Sequence, residues 1–409
     1  MLCSQMESLI VGPFQAIQTP TLIIIDALDE CQDEEPASAL LSVLSRYVGE
    51  IPLVKFFITG RPEPWIRSGF RLESLRPHTD ILRLHDVKPD VVDGDIKLFL
   101  NTQLTAIAKN RSDCDLTEDW PSPGDIDALC KKAAGFFIYA STVVKFIASQ
   151  GDPPDERLAL VTSLPQDTSH EGRGGIDLLY TQVLEQAFHN KDQASYLHFK
   201  LVVGTVLLIS NPLSIKALSD LLRNYSTQSR IHSTLRTLHS LLLVPDNIED
   251  PVRVFHKSFP DFLMDIRRCT DTRFFVDPPN HHREIFLSCL DVMKGGLRKN
   301  ICNLDNSTPF SQVEDLPARR AAYIGDTLGY ACCFWTTHLA RSTGSSLGIE
   351  EVQKEINEFF MTCLLFWIEV LSLMGNLGTG VSALNDIQQW YTLVSCVENL
   401  LKIPKLMCI

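Results

Sequence analysis

Positive charge is in short supply: 37 Lys and Arg stand against 50 Asp and Glu in 409 residues, giving a formal net charge of −13 and a pI near 5.3. Affinity for polyanions depends on cations that neutralise phosphates, so this balance argues against nucleic acid as a main partner. C-x-x-C pairs are absent, and the twelve cysteines are scattered from Cys3 to Cys408. That usage fits a reducing cytosol, with most thiols serving as small core residues. No basic flank followed by an apolar core opens the chain, so no secretory signal is read there. Long apolar runs are also missing. The strongest, Phe359 to Met374, is interrupted by Glu369 and falls short of the roughly 20 residues needed to span a bilayer. It reads as one buried helix. No repeat of period ~20–50 residues is visible, which excludes a solenoid or propeller within these residues. Finally, G-x-x-x-x-G-K-[ST], the loop whose backbone cradles phosphates, occurs nowhere.

What is present is a globular chain, 45% hydrophobic, with enough apolar content for two to four packed domains. Its most informative stretch is Thr21-Leu22-Ile23-Ile24-Ile25-Asp26-Ala27-Leu28-Asp29-Glu30, a β-branched run ending in three carboxylates within five residues. A buried parallel strand is apolar on both faces, and its first usable acid appears at the carboxyl end, where α/β sheets place ligands. This is the pattern of a Walker B strand. Asp26 is placed to hold Mg²⁺ directly or through water, and Glu30 to orient a water near a γ-phosphate. Asp29 reads either as a partner in that chemistry or as a cap or turn residue before the next helix.

An amphipathic helix is expected over Ala37–Val48, followed by a second strand, Val54–Thr59, that breaks at Gly60-Arg61-Pro62-Glu63-Pro64. Strand, helix, strand implies a parallel pair with a right-handed crossover. Arg61 would then lie beside Asp26 at the ligand edge, either sensing a γ-phosphate or forming a surface ion pair. Beyond Val87 the period turns helical, with helices expected over Asp93–Lys109 and Pro123–Ile147. Within the second, the aromatics of Gly135–Ala140 read as core. Gly151–Pro154 stops that helix, and Gln166–Gly175 reads as a polar linker.

From Leu178 to Arg268, helices over Leu201–Ile209, Lys216–Leu222 and Ser229–Leu242 precede two short strands, Leu243-Val244 and Val252–Phe255, around the turn Pro245–Pro251. Helices followed by a hairpin suggest a winged helix. The third helix offers only Arg230 and Arg236 for bases or phosphates, which disfavours DNA reading. His256 follows the last strand. It is either a satisfied structural residue or a ring that donates to a nucleotide phosphate. Pro260 fits a first helical position, and Phe259, Phe262, Leu263 and Ile266 an apolar helix face. Gly344-Ser345-Ser346-Leu347-Gly348 matches G-x-S-x-G but lacks the preceding strand of a nucleophile elbow and reads as a loop. His281-His282 lacks zinc spacing.

In order, Leu22–Cys31 (LIIIDALDEC), Phe56–Pro64 (FFITGRPEP), Gly135–Ile147 (GFFIYASTVVKFI), Pro212–Leu222 (PLSIKALSDLL) and Phe255–Leu263 (FHKSFPDFL) resemble the NACHT-type signalling ATPases of the STAND class. The likeness is greatest to fungal proteins with a nephrocystin-3-like N-terminal module, and Val313–Leu316 and Leu328–Leu339 resemble the helical segment after their winged helix. The resemblance implies an α/β plus mostly α fold: a partial P-loop NTPase sheet (1–85), a helical domain (86–165), a winged helix (178–270) and a C-terminal helical region (279–409). It also implies a nucleotide-operated switch, closed with ADP and oligomerising after ATP exchange. Asp26 would serve Mg²⁺, Glu30 and Asp29 hydrolysis, Arg61 γ-phosphate sensing, and His256 the β-phosphate. Mg·ATP or ADP is the cofactor of the complete family site, and tight binding by this chain alone is not expected. The chain reads as a fragment starting downstream of the phosphate loop and ending where such proteins continue into sensor repeats. The implied partners are further copies or full-length NACHT relatives, with no membrane span. An open sheet edge with exposed apolar surface is expected where a leading strand is missing.

Overall fold

The computed structural model describes residues 2–402 apart from 17–18, 32–33, 112–113, 115, 118, 150–151, 166–173, 190, 306–311 and 343–348. The chain divides into two compact units, Met1–Val91 and Val92–Ile409. This two-unit description is coarser than the four segments expected from sequence. Residues 166–173 of the linker expected over Gln166–Gly175 and the G-x-S-x-G loop fall outside the described residues, while Gly174 and Gly175 open the helix Gly174–Ala187.

In the first unit, β1 (Thr21–Ile25) and β2 (Val54–Ile58) pair in parallel, in register from Thr21↔Val54 to Ile25↔Ile58. The connection is the helix Glu34–Tyr47, so the expected strand–helix–strand order is present. One sheet face, Ile23, Ile25, Phe56 and Ile58, packs on a core that includes Leu41, Leu44 and Val54. On the other face, Leu22, Ile24 and Phe57 are 59%, 64% and 56% exposed. Burial of β1 on both faces is therefore not found. Among the described residues of this unit, apolar cover lies on one side of the two-stranded sheet, and the alternation of side chains leaves the other side open.

Among the described residues the second unit is helical apart from one hairpin. The helix expected over Pro123–Ile147 is two, Pro123–Ala133 and Phe137–Ala148. Between them Ala134 and Gly135 take φ values of 47° and 80°, left-handed conformations that end an α-helix. This break splits the aromatic cluster: Tyr139 is buried, whereas Phe136 and Phe137 are exposed. Gln193–Leu208, Ile215–Leu221 and Gln228–Arg236 follow. Each is started by a side chain, from Asp192, Ser214 and Thr227 respectively, that accepts the amide three residues on. The last helix stops at Arg236 rather than Leu242, because Leu242–Leu243 (β3) is taken into an antiparallel pair with Arg253–Val254 (β4). Beyond β4, the helix Ser258–Leu263 buries Phe259, Phe262 and Leu263. Ile266 lies past its end and is exposed, and Pro260 is its third residue, not its first.

The apolar run expected as one helix is bent by 74° between Ile349–Thr362 and Leu364–Met374. Glu369, its one charge, accepts the amides of Asn300 and Ile301, both at 3.1 Å. The acid therefore satisfies loop backbone that would otherwise lack partners. Among the described residues no single helix is long and apolar enough to cross a membrane, and this pair reaches that length only across its bend.

Polar groups inside the second unit are linked to one another. His282 Nδ1 lies 2.8 Å from His338 Nδ1, and His338 Nε2 lies 2.6 Å from the Tyr330 hydroxyl. His198 bridges Thr234 and Ser226 at 3.1 and 2.6 Å. Burial disfavours the charged rings and lowers His198 and His282 to about 4 and His338 to about 3. An unfolded chain takes up these protons near pH 6.5, while the folded chain resists them until well below pH 5. The resulting stability is present in full above pH 6.5 and is lost as pH falls towards the folded values. Urea unfolding should show the second unit weakening by about 2 kcal/mol or more at pH 5 relative to pH 7. A transition that does not move with pH over this range would contradict the buried neutral rings.

Candidate functional site

The residues expected from sequence at the two strand ends do come together. Asp26 follows β1 directly and is exposed. Ala27 then turns the chain through a left-handed conformation, φ 52°, into the short turn Leu28–Glu30. Opposite, Thr59 follows β2 and closes on this turn with both its backbone and its side chain. Its N–H donates to the Ile25 carbonyl at 3.0 Å, and its carbonyl accepts the Leu28 N–H at 2.9 Å. Its hydroxyl accepts the Ala27 N–H at 2.8 Å and donates to Asp26 Oδ1. Thr59 thereby holds the Asp26 carboxylate at the strand end.

Asp29 points the other way and is buried. Its Oδ1 accepts the Arg61 backbone N–H at 3.0 Å, and its Oδ2 lies 3.6 Å from Arg61 Nε. The Arg61 side chain stays 38% exposed against 4% for Asp29. The expected ion pair is present: Asp29 anchors Arg61 past the end of β2 while leaving part of its guanidinium in solvent. Glu30, next in the chain, is exposed. Three carboxylates in five residues therefore occupy three environments.

Among the described residues no group of three or more His, Cys, Asp or Glu is arranged to hold a metal ion. The exposed Asp26 carboxylate would fit the lesser role of a single protein ligand to a largely hydrated Mg²⁺. Sequence reading gave Thr59 no role. The signal was a hydroxyl residue between the apolar Ile58 and the turn-forming Gly60, at the height of Asp26 in the parallel register.

His256 lies in the second unit, just past β4. The Ser258 N–H donates to its Nδ1 at 3.1 Å, and the Ser258 hydroxyl stands 2.8 Å from the same nitrogen. Ser258 Oγ is also 2.6 Å from the Tyr180 hydroxyl. Neither partner was singled out from sequence. Next to His256, the ammonium of Lys145 sits 3.3 Å from the centre of the Phe255 ring, and burial lowers its pKa. Elsewhere in this unit a groove of about 630 Å³ is bordered by Leu213, Glu249, Asp326, Tyr330, Phe334 and Met374. No Lys, Arg or His lines it, so it has the wrong sign for a polyphosphate.

Removing the Thr59 hydroxyl leaves the Ala27 amide without its acceptor. Thr59→Val should lower hydrogen-exchange protection of that amide roughly thirtyfold, equivalent to about 2 kcal/mol, whereas Thr59→Ser should stay within about threefold of wild type. Unchanged protection in Thr59→Val would show that the turn does not depend on this contact.

No protein-family model matches the chain, and no solved structure matches it significantly. It is similar to the vegetative incompatibility protein HET-E-1 of Podospora anserina, with 24% identity over an alignment that covers 95% of this chain. The chain spans 28% of the length of that relative.

Proposed function

We propose that this chain carries the metal and sensor half of a NACHT/STAND-type nucleotide-dependent signalling switch, together with the winged-helix segment that responds to it. The observation that carries this reading is the junction at the ends of β1 and β2. There Thr59 fixes Asp26, Asp29 anchors Arg61, and Glu30 remains in solvent. An acid held at the end of β1, a cation anchored past the end of β2 and an exposed carboxylate are the kinds of group that sensing and hydrolysing a γ-phosphate use. The likeness to HET-E-1 along nearly the whole chain supports the same reading. The helices and β3–β4 hairpin of the second unit are compatible with a winged helix.

In this proposal Asp26 serves Mg²⁺, Arg61 contacts the γ-phosphate, and Glu30 orients and activates water; Asp29, expected from sequence to share that role, is buried against Arg61 and serves hydrolysis by holding that cation in place. His256 donates to the β-phosphate in the ADP-bound closed form. Mg·ATP, when bound, supplies the energy of phosphoryl transfer. The chain's own groups bind, orient and report. No G-x-x-x-x-G-K-[ST] is present to supply the backbone amides and lysine that make most directed phosphate contacts. This chain alone should therefore bind Mg·ATP weakly or not at all in a calorimetric titration. Submicromolar binding that Asp26→Ala abolishes would overturn that expectation.

A second reading is favoured by the exposed Leu22, Ile24 and Phe57 of the sheet. On this reading the chain is a non-catalytic partner or decoy that associates with full-length NACHT proteins or with further copies of itself. Coexpression with a full-length relative separates the two: stable co-purification supports the partner role, and its absence counts against it.

A further inference from the structure

His256 is held through one ring nitrogen by a relay that begins on a different helix. A backbone N–H can only donate, so the Ser258 amide at 3.1 Å requires a lone pair on His256 Nδ1. The neutral ring then carries its proton on Nε2. The Ser258 hydroxyl, 2.8 Å from the same Nδ1, donates as well, and this leaves its oxygen to accept from Tyr180 at 2.6 Å. Burial pushes the Tyr180 hydroxyl up to about 12, so it keeps its proton and remains a donor. Every proton in the relay therefore points the same way, from Tyr180 to Ser258 to His256. Aligned hydrogen bonds of this kind strengthen one another in a low-dielectric setting.

Tyr180 is itself fixed. Its ring is wedged against Phe259 and Phe262, with centroids 5.3 and 5.5 Å away. One turn earlier, Asp177 takes both Arg268 Nε and a terminal guanidinium nitrogen, at 3.0 and 2.6 Å. The helix Gly174–Ala187 is thus bound on both sides of the Ser258–Leu263 helix, and it orients a histidine about 76 positions away along the chain.

We propose that Tyr180 and Ser258 are positioning residues that lock His256 as an Nε2–H donor. The identity of its acceptor, a phosphate oxygen, rests on the nucleotide-switch reading above. A histidine that merely fills space has no need of a fixed tautomer. One that must recognise an anion in a single orientation gains from having its donor set before the ligand arrives.

Nitrogen NMR of the full chain labelled at histidine tests this, with His256 assigned by the loss of its signals in His256→Gln. The expected result is a pyridine-type Nδ1 and a pyrrole-type Nε2, both retained in Ser258→Thr. Ser258→Ala should shift the tautomer ratio towards Nδ1–H by roughly fivefold, the factor that one net hydrogen bond is worth. Tyr180→Phe keeps the ring packing and should shift the ratio in the same direction by less, so it carries the test if Ser258→Ala does not fold. A pyrrole-type Nδ1 in wild type overturns the proposal, as does a ratio that neither variant moves. Mg·ADP added together with a separately made strand–loop–helix segment carrying G-x-x-x-x-G-K-[ST] then separates the two claims. Movement of the Nε2–H signal in that mixture supports a phosphate acceptor. A locked tautomer that Mg·ADP leaves unmoved although the mixture binds it upholds the positioning roles and counts against the nucleotide reading.

Discussion

The strand-end junction depends on the hydrogen bonds that Thr59 makes across β1 and β2. Parallel pairing from Thr21↔Val54 to Ile25↔Ile58 aligns the strands, but alignment alone would leave the chain after Ile25 free to wander. Thr59 removes that freedom with its amide, carbonyl and hydroxyl together. Ala27 is held in a left-handed conformation that costs a non-glycine residue on the order of 1–2 kcal/mol, and the Thr59 contacts offset this. The turn in exchange separates the three carboxylates, with Asp26 at the edge, Asp29 inside and Glu30 in solvent.

Asp29 shows why burial and charge must be solved together at such a place. A buried carboxylate without partners would be driven towards its neutral form. The Arg61 amide and guanidinium supply those partners, and the same contacts hold Arg61 just past the end of β2. Arg61 is thus both a counterion and a presented group. The second unit follows the same logic: His282, His338 and Tyr330 are satisfied by one another, His198 by the hydroxyls of Thr234 and Ser226, and Glu369 by loop amides.

The two strands, the crossover helix and the hairpin were legible because each rests on local pattern: apolar runs that end in turn or acidic residues. Asp26, Asp29 and Arg61 were legible for the same reason, since a parallel register brings strand ends to one edge. What local pattern could not show was set by conformation or distant packing. Ala134 in a left-handed turn carries no sequence mark, so one apolar period was read as a single helix. The bend at Cys363 lies within a continuous apolar run, and Glu369 looked like an interruption until the amides of Asn300 and Ile301 came into view. Ile266 keeps the helical spacing of its neighbours although the helix has already ended. Thr59, Ser258 and Tyr180 act through contacts 33, 2 and 78 positions apart, and the two long-range ones have no periodic signature.

The central claim is that these strand ends form the metal and sensor half of a phosphate site that a phosphate-cradling loop completes. The most direct measurement is calorimetric titration of Mg·ADP into the chain mixed with a separately made strand–loop–helix segment carrying G-x-x-x-x-G-K-[ST]. Binding by the mixture that greatly exceeds the sum of the parts, and that Asp26→Ala reduces, is the expected result. Equal binding with and without this chain, or binding indifferent to Asp26→Ala, would contradict the claim.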